Sequence, residues 1–208
     1  GGAGGAAVPT ASDSVFFDGN SGTGTVTISG SRVCLDLDTT GFKGTLNFGS
    51  STVTIGNGAS TSSFYIDDTT GSFNFGTSTV VANNILVQFT TISGLVLAIN
   101  NLTVNSPSTF NPISDLTIAT LTFAPSSALQ VYAGGTITVT TLVAEGTAGN
   151  LIFISSDTPS SSFDLSIASG IVDCDYLDLT DCHAVGGATF YAGSHSNNNG
   201  NNTGWSFT

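Results

Sequence analysis

The residues best suited to chemistry are four aspartates near the C-terminal end of the sequence. Within the stretch IVDCDYLDLTDC these are Asp173, Asp175, Asp178 and Asp181. In an extended strand Val172, Cys174 and Tyr176 would point inward. Asp173 and Asp175 would then point outward on one face, about 7 Å apart. Paired carboxylates can hydrolyse a glycosidic bond, and the four aspartates are also a candidate cation (Ca²⁺) or glycan contact.

We favour a simpler interpretation of these aspartates, a solvated edge that gives solubility and hinders end-to-end association. His183 and His195 lie in predicted loops without a serine–acid constellation and are predicted to be solvent-exposed. A polysaccharide lyase would need a basic residue near its carboxylates, and the chain contains only Arg32 and Lys43. We therefore predict no catalytic residues, no metal site and no cofactor, with Ca²⁺ binding and glycoside hydrolysis as the alternatives.

The cysteines do not predict a metal site or a disulfide scaffold. There are three, Cys34, Cys174 and Cys182, and their spacing fits no zinc-binding pattern. We interpret them as small buried hydrophobic residues. A disulfide between Cys174 and Cys182 is the alternative.

The elements that must position these residues are short strands. Period-two alternation is clearest from residue 114 to 145. Four apolar pairs flank single polar residues there: Leu116 and Ile118, Leu121 and Phe123, Leu129 and Val131, Ile137 and Val139. Short breaks with turn-forming residues separate them, and no helical pattern is found. Three such strands per turn predict coils of roughly 20 to 27 residues.

The predicted fold is therefore all-β, a single-stranded right-handed parallel β-helix (β-solenoid) with a C-terminal cap. An antiparallel β-sandwich is the alternative, but it favours longer strands and more hairpin turns. We expect a Gly/Ala-rich lead-in at residues 1–14, the solenoid at 15–185, and a cap or subunit contact at 186–208. The last segment is rich in aromatic residues: Phe190, Tyr191, Trp205 and Phe207. Because the sequence contains no Met, we expect a fragment or a processed product.

The composition restricts the partners of the chain. Charged residues make up 8%, and fourteen acidic against two basic residues give a formal charge of −12. Nucleic-acid binding needs Lys and Arg to neutralise phosphates, so this class is excluded. An anionic membrane surface is equally disfavoured, and no apolar run has the roughly 18 residues of a membrane span. Hydroxyl and amide groups must cover the surface, as suits an extracellular or virion protein.

Six motifs stand out near the two ends of the sequence. They are VPTASDSVFFD (8–18), CLDL (34–37) and GFKGTL (41–46), then DYLDL (175–179), GGATFYAG (186–193) and GNNTGW (200–205). Together they resemble the two ends of β-solenoid modules of bacteriophage tail fibre, spike or virion decoration proteins. The resemblance implies a structural or receptor-contacting protein and supplies no catalytic motif. It also departs from the family pattern, because the Trp-containing sequence that often precedes the Gly-rich lead-in is missing.

From these observations we expect a non-enzymatic structural or adhesive module of a phage particle or a microbial surface fibre. A carbohydrate-active β-helix, such as a polysaccharide-cleaving tailspike, is the alternative, and self-assembly into an extracellular filament is a third reading. The expected partners are other virion or fibre subunits, further copies of the chain, or a cell-surface glycan. The expected location is the virion or the extracellular surface.

Overall fold

The described part of the chain folds into short β-strands joined by tight corners. The structure, a computed structural model, describes residues 7–59, 62–67, 71–83, 85–90, 97–105, 107–112 and 115–208. In chain order the strands are β1 (Val15–Phe16), β2 (Thr25–Thr27), β3 (Arg32–Cys34), β4 (Leu37–Asp38), β5 (Thr45–Asn47), β6 (Thr52–Ile55), β7 (Ser62–Asp67), β8 (Ser72–Asn74), β9 (Thr79–Ala82), β10 (Ile85–Thr90), β11 (Leu97–Val104), β12 (Ser108–Pro112), β13 (Leu116–Phe123), β14 (Ala128–Val131), β15 (Thr136–Ala144), β16 (Ile152–Ser156), β17 (Phe163–Ile167), β18 (Ile171–Asp173), β19 (Leu177–Thr180), β20 (Cys182–Gly186), β21 (Thr189–Tyr191), β22 (Asn197–Asn198) and β23 (Trp205–Ser206). The described residues contain no helix, and so none that could cross a membrane.

The strands stack into four sheets that run along the long axis of a solenoid. Sheet 1 has the order β1-β4-β7-β10-β12-β14-β16-β19-β22, and sheet 2 has the order β3-β6-β9-β11-β13-β15-β17-β20. Sheet 3 is β2-β5-β8 and sheet 4 is β18-β21-β23. Every pairing between these strands is parallel, because each strand pairs with its equivalent one coil before or after. The parallel β-solenoid is confirmed and the antiparallel sandwich is wrong. The right-handed sense remains a prediction, consistent with the general rule for parallel crossovers.

The inward set predicted from period-two alternation is confirmed. All eight residues of the four apolar pairs are at most 4% exposed. Leu116 and Ile118 pair in register with Ile137 and Val139 of the next coil, so identical positions stack on one another. Thr138, which lies between two of them, is exposed. Alternation fixes this pattern because successive side chains of a strand point to opposite faces.

One inward ladder passes through five successive coils of sheet 2. Strand pairing places its members in register: Val53, Val80, Leu102, Leu121 and Leu142. The first four are at most 3% exposed, whereas Leu142 is only half-buried. A second inward ladder, in sheet 4, consists of Val172, Phe190 and Trp205. The two ladders occupy the same side of the solenoid, and the interval between Leu142 and Val172 separates them.

Residues 186–208 extend the coil stack. Within this segment β21 pairs with β18, β22 with β19, and β23 with β21. Phe190 is 2% exposed and meets Trp205 edge to face, with ring centroids 5.1 Å apart. Trp205 and Phe207 are half-buried against the core, whereas Tyr191 is exposed. Three of the four aromatic residues thus cover the solenoid interior, and the role of the segment as a cap or subunit contact remains a prediction.

The three cysteines are buried and free. The alternative disulfide between Cys174 and Cys182 is therefore wrong, and the interpretation as small buried residues is confirmed. Burial raises the pKa of the Cys174 thiol to about 12, with nearby Glu145 and Asp173 acting in the same direction. Burial also raises the pKa of the Cys182 thiol to about 12. Thiols with such values are protonated at neutral pH and are poor nucleophiles and metal ligands.

Candidate functional site

The solenoid wall opens where sheet 2 gives way to sheet 4. The first part of β15 pairs with β17 through Thr138 and Ser166. The later part of β15 pairs with β13 of the preceding coil. In the next coil the equivalent strand is β18, and within the described chain β18 pairs with β21 but not with β15. The wall closes again at a parallel bridge between Glu145 and Asp175.

The cause of the opening is the length of one corner. Val139 and Ile167 occupy equivalent positions, because the preceding residues pair in register. Only residues 140–141 separate Val139 from Leu142, the next inward residue. Residues 168–171 separate Ile167 from Val172. The two additional residues displace β18 from β15 and leave a gap between them.

The gap forms a cavity of about 330 Å³, which we call the notch. The residues that line it are Thr140, Thr141, Leu142, Ile167, Ser169, Ile171, Val172 and Asp173. Ile167 and Val172 are buried and Leu142 is half-buried, so they form an aliphatic floor. The threonine and serine hydroxyls and the Asp173 carboxylate provide polar groups around that floor.

Three carboxylates lie at the end of the notch that the bridge between Glu145 and Asp175 closes. The backbones of Glu145 and Asp175 pair at the parallel bridge, and Asp173 precedes Asp175 by two residues. Partial burial, together with the negative charges of Asp175 and Asp173, raises the pKa of Glu145. The sequence did not single out Glu145, because it lies far from the aspartates along the chain and only strand register brings it to them.

Asp175 is held by residues of its own coil and of the following coil. Its carboxylate contacts His195 Nδ1 at 2.7 Å and accepts a hydrogen bond from the His195 backbone N–H at 3.0 Å. The backbone N–H of Tyr176 also donates a hydrogen bond to this carboxylate, at 2.9 Å. Burial acts to raise the pKa of Asp175, but these hydrogen bonds outweigh it and lower the pKa. Asp175 is thus a fixed, ionised group.

Tyr176 differs from its prediction as an inward residue. Its φ is +57°, a left-handed conformation that interrupts the alternation after Asp175. The ring instead stacks on His195, with centroids 4.5 Å apart and planes 7° from parallel. His195, predicted to be a solvent-exposed loop residue, is exposed but pairs with Asp175. Gly193 adjoins this pair, and a side chain there would collide with the Asp175 carboxylate.

The four predicted aspartates do not form one site. Asp173 is exposed and Asp175 half-buried, both outward of buried Cys174 as predicted. Asp178 lies in sheet 1, where it accepts hydrogen bonds from Asn197 and Asn199. Asp181 is 4% exposed at a corner with φ +56° and accepts hydrogen bonds from the Ser160 backbone and from Asn201.

The separation has two consequences for the candidate site. In the described part of the chain no group of three or more His, Cys, Asp or Glu side chains is arranged to hold a metal ion. Asp178 and Asp181 act structurally, because they tie the last polar loop to the coil before it. The Asp173 side chain, by contrast, has no hydrogen-bond partner among the described residues, so its carboxylate is available to a ligand.

A second cavity, of about 250 Å³, lies among the first coils. Val15, Phe17, Ile28 and Val33 provide apolar lining, with Arg32 among the polar residues. Its lining contains no acidic or histidine side chain, so it offers no counterpart to the carboxylates beside the notch.

Comparison with known proteins does not identify this site. No family model, no characterised protein and no solved structure matches the chain. The fold and the residues around the notch are therefore the features from which a function can be inferred.

Proposed function

We propose that the chain is a non-enzymatic structural or adhesive β-solenoid module. The observation that carries this proposal is the coil stack itself, in which apolar ladders fill the interior and hydroxyl, amide and carboxylate groups cover the outside. Such an architecture is extended and presents a long surface to a partner. With 8% charged residues and two basic side chains, the surface also offers trypsin few sites for cleavage.

The resemblance at the two ends of the sequence supports a phage particle as the setting, as a tail fibre, spike or decoration protein. A microbial surface fibre is the second setting. In both, the module lies on the virion or outside the cell and contacts other subunits, further copies of itself or a cell-surface glycan. The charge of −12 argues against nucleic acid and anionic membranes as partners.

The roles of the aspartates support the non-enzymatic interpretation. Asp178 and Asp181 are engaged by asparagine side chains of the last coil, and Asp175 is held by His195. Asp175, whose pKa is lowered by its hydrogen bonds, is a poor general acid. Three of the four candidates thus hold adjacent coils together.

One observation favours the carbohydrate-active alternative. A glycosidase needs one carboxyl group with a raised pKa beside a second that stays ionised. Glu145, whose pKa is raised, lies across the bridge from Asp175, whose pKa is lowered. This pair is the only reaction chemistry that the residues around the notch suggest.

Incubation with a panel of bacterial polysaccharides separates the two functions. We expect no release of reducing ends from the unmodified chain and none from the Asp173→Asn/Asp175→Asn variant. Glu145→Gln tests the alternative acid in the same assay. Release that disappears in Glu145→Gln or in the double variant would replace the structural proposal with a glycoside hydrolase.

A further inference from the structure

The notch is a pocket in the solenoid wall that strand pairing closes at both ends. The pairing of Thr138 with Ser166 closes one end. The bridge between Glu145 and Asp175, reinforced by the Gly146 N–H donating to the Asp175 carbonyl at 3.1 Å, closes the other. Its volume of about 330 Å³ falls at the small end of the range for ligand pockets. An inserted β-strand would have to break these closures, whereas a compact ligand would not.

The lining determines the chemistry that fits. The aliphatic floor favours a ligand with a C–H face, while the hydroxyls of Thr140, Thr141 and Ser169 favour one with its own hydroxyl groups. A purely apolar ligand would bury these hydroxyls without partners, which is costly. An anion would meet Asp173 and its carboxylate neighbours with no cation nearby, because Arg32 and Lys43 belong to the first coils.

An exposed aromatic ring lies immediately beyond the notch. Tyr191, in the next coil, pairs in register with Asp173. The side chains of both residues therefore point outward on the same face. It is 37% exposed, although Phe190 before it and Ala192 after it are buried. Adjacent strands are about 4.8 Å apart. A ligand that occupies the notch and reaches past Asp173 would therefore contact the Tyr191 ring.

We propose that the notch, Asp173 and Tyr191 together bind a neutral saccharide unit of a glycan chain. The free Asp173 carboxylate accepts hydrogen bonds from ring hydroxyls, and the threonine hydroxyls supply donors and acceptors. The C–H face of the sugar packs on Leu142 and Val172, and the following sugar packs on Tyr191. The inference rests on the proposed adhesive function and names its ligand class and contact residues.

Titration of the isotopically labelled chain, followed by amide ¹H–¹⁵N spectra, is the test. The probes are the hexasaccharides of cellulose, maltose-type glucan and chitin, which are neutral, and that of chitosan, which is cationic. We expect at least one neutral probe to shift the amides of residues 140–143, 168–173 and 191, with a dissociation constant of about 1 mM, as for a small shallow site. No shift with any neutral probe up to about 10 mM would overturn the inference.

Variants identify the contact residues. Tyr191→Ala and Asp173→Asn should each weaken binding about tenfold, the size expected for loss of one good contact. Ser169→Trp fills the notch and should abolish binding. Tyr132→Ala is the matched control, because Tyr132 is also an exposed tyrosine but follows β14 on sheet 1, away from the notch, and should leave binding unchanged. Unchanged melting temperatures establish that each variant is folded.

The remaining outcomes separate this inference from the proposed function. A stronger response to the chitosan probe than to the neutral probes, or shifts unaffected by Tyr191→Ala and Asp173→Asn, would overturn the neutral saccharide site. Reducing-end release from a bound probe would overturn the non-enzymatic proposal while supporting the binding site. The absence of both binding and release would overturn the saccharide site and leave the structural module intact.

Discussion

Two corners of the solenoid wall make the same turn with different lengths of chain. In the coil of β15, two residues separate the inward side chains of Val139 and Leu142, and the turn follows the coil before it in register. In the next coil, residues 168–171 separate Ile167 from Val172, and pairing with β15 fails until Asp175. The first corner gives a continuous wall and the second gives the notch.

The comparison shows that a coil can accept extra residues without losing its core. Leu142 and Val172 still point inward on either side of the gap, and Phe190 and Trp205 continue the ladder beyond it. The interruption affects the exposed side, where it frees Asp173 and exposes Ile171 and Val143. Ladder stacking thus provides stability, while corner length determines where a surface site opens.

The largest expected effect comes from removing the coil beyond the gap. Deleting residues 186–208 takes away Phe190 and Trp205 and uncovers Val172, and a large aromatic residue buries about 150–250 Å². We expect aggregation or loss of the cooperative thermal transition, with strand content largely retained, as measured by circular dichroism and light scattering. A truncated chain that remains monomeric and equally heat-stable would show that the segment is a tail, and its aromatic residues would then fit a ligand or partner site better.

The next prediction compares one ladder position on either side of the first corner. Leu121→Asp places a charge in a closed core and should lower the free energy of unfolding by about 4 kcal/mol. Leu142→Asp places the same charge beside the notch, where it stays hydrated, and should cost about 2 kcal/mol or less. Denaturant unfolding of both variants gives the difference. Equal losses would mean that the notch does not admit water to Leu142.

The sequence was sufficient for the parts of the fold that depend on local alternation. Leu129 and Val131 face inward because the polar residue between them faces outward, which holds whatever the neighbouring coil does. Strand length and corner residues then distinguished the parallel solenoid from the sandwich. These features are encoded within a few consecutive residues and can be read directly.

The site depended on register between coils, which the sequence does not display. Asp173 and Asp175 were predicted correctly as outward neighbours, but Glu145 joins them only through strand pairing. The two additional residues before Val172 become visible as an insertion only when that coil is aligned with the coil of β15. Asp178 and Asp181 were grouped with Asp173 by proximity in sequence, although corners place them on other faces.

Glycines at the corners offer a test of moderate size. Gly186 has a φ of +96°, and a Cβ there would come within 2.8 Å of the carbonyl carbon of Ile167. Ile167 is the residue at which the longer corner begins. Gly134 has a φ of +78° with open space around it. Gly186→Ala should therefore lower the free energy of unfolding by about 2–4 kcal/mol, because backbone strain and the collision act together. Gly134→Ala should lower it by about 1 kcal/mol, from backbone strain alone.

Thermal and denaturant unfolding of the two glycine variants would give these values. If Gly186→Ala lowers the free energy of unfolding no more than Gly134→Ala does, then the two successive corners are not packed tightly on each other. The wall around the notch would then be more adjustable than the close contact between Gly186 and Ile167 indicates.

The smallest expected effect concerns Glu145, the only glutamate in the chain. Burial and the neighbouring Asp175 and Asp173 raise its pKa, so the folded chain binds this proton more tightly than the unfolded chain does. The ionised group therefore opposes folding at neutral pH, and this cost disappears as the pH falls below about 4.3, the ordinary glutamate value. Glu145 is exposed, so Glu145→Gln should raise the free energy of unfolding at pH 7 by only about 0.3 kcal/mol.

The gain from Glu145→Gln should vanish near pH 4 and shrink in high salt, because salt screens the repulsion between exposed carboxylates. Denaturant unfolding of the two chains at both pH values, with and without added salt, measures it. A loss of stability at pH 7 would mean that the Glu145 carboxylate contributes a favourable contact where it meets Asp175.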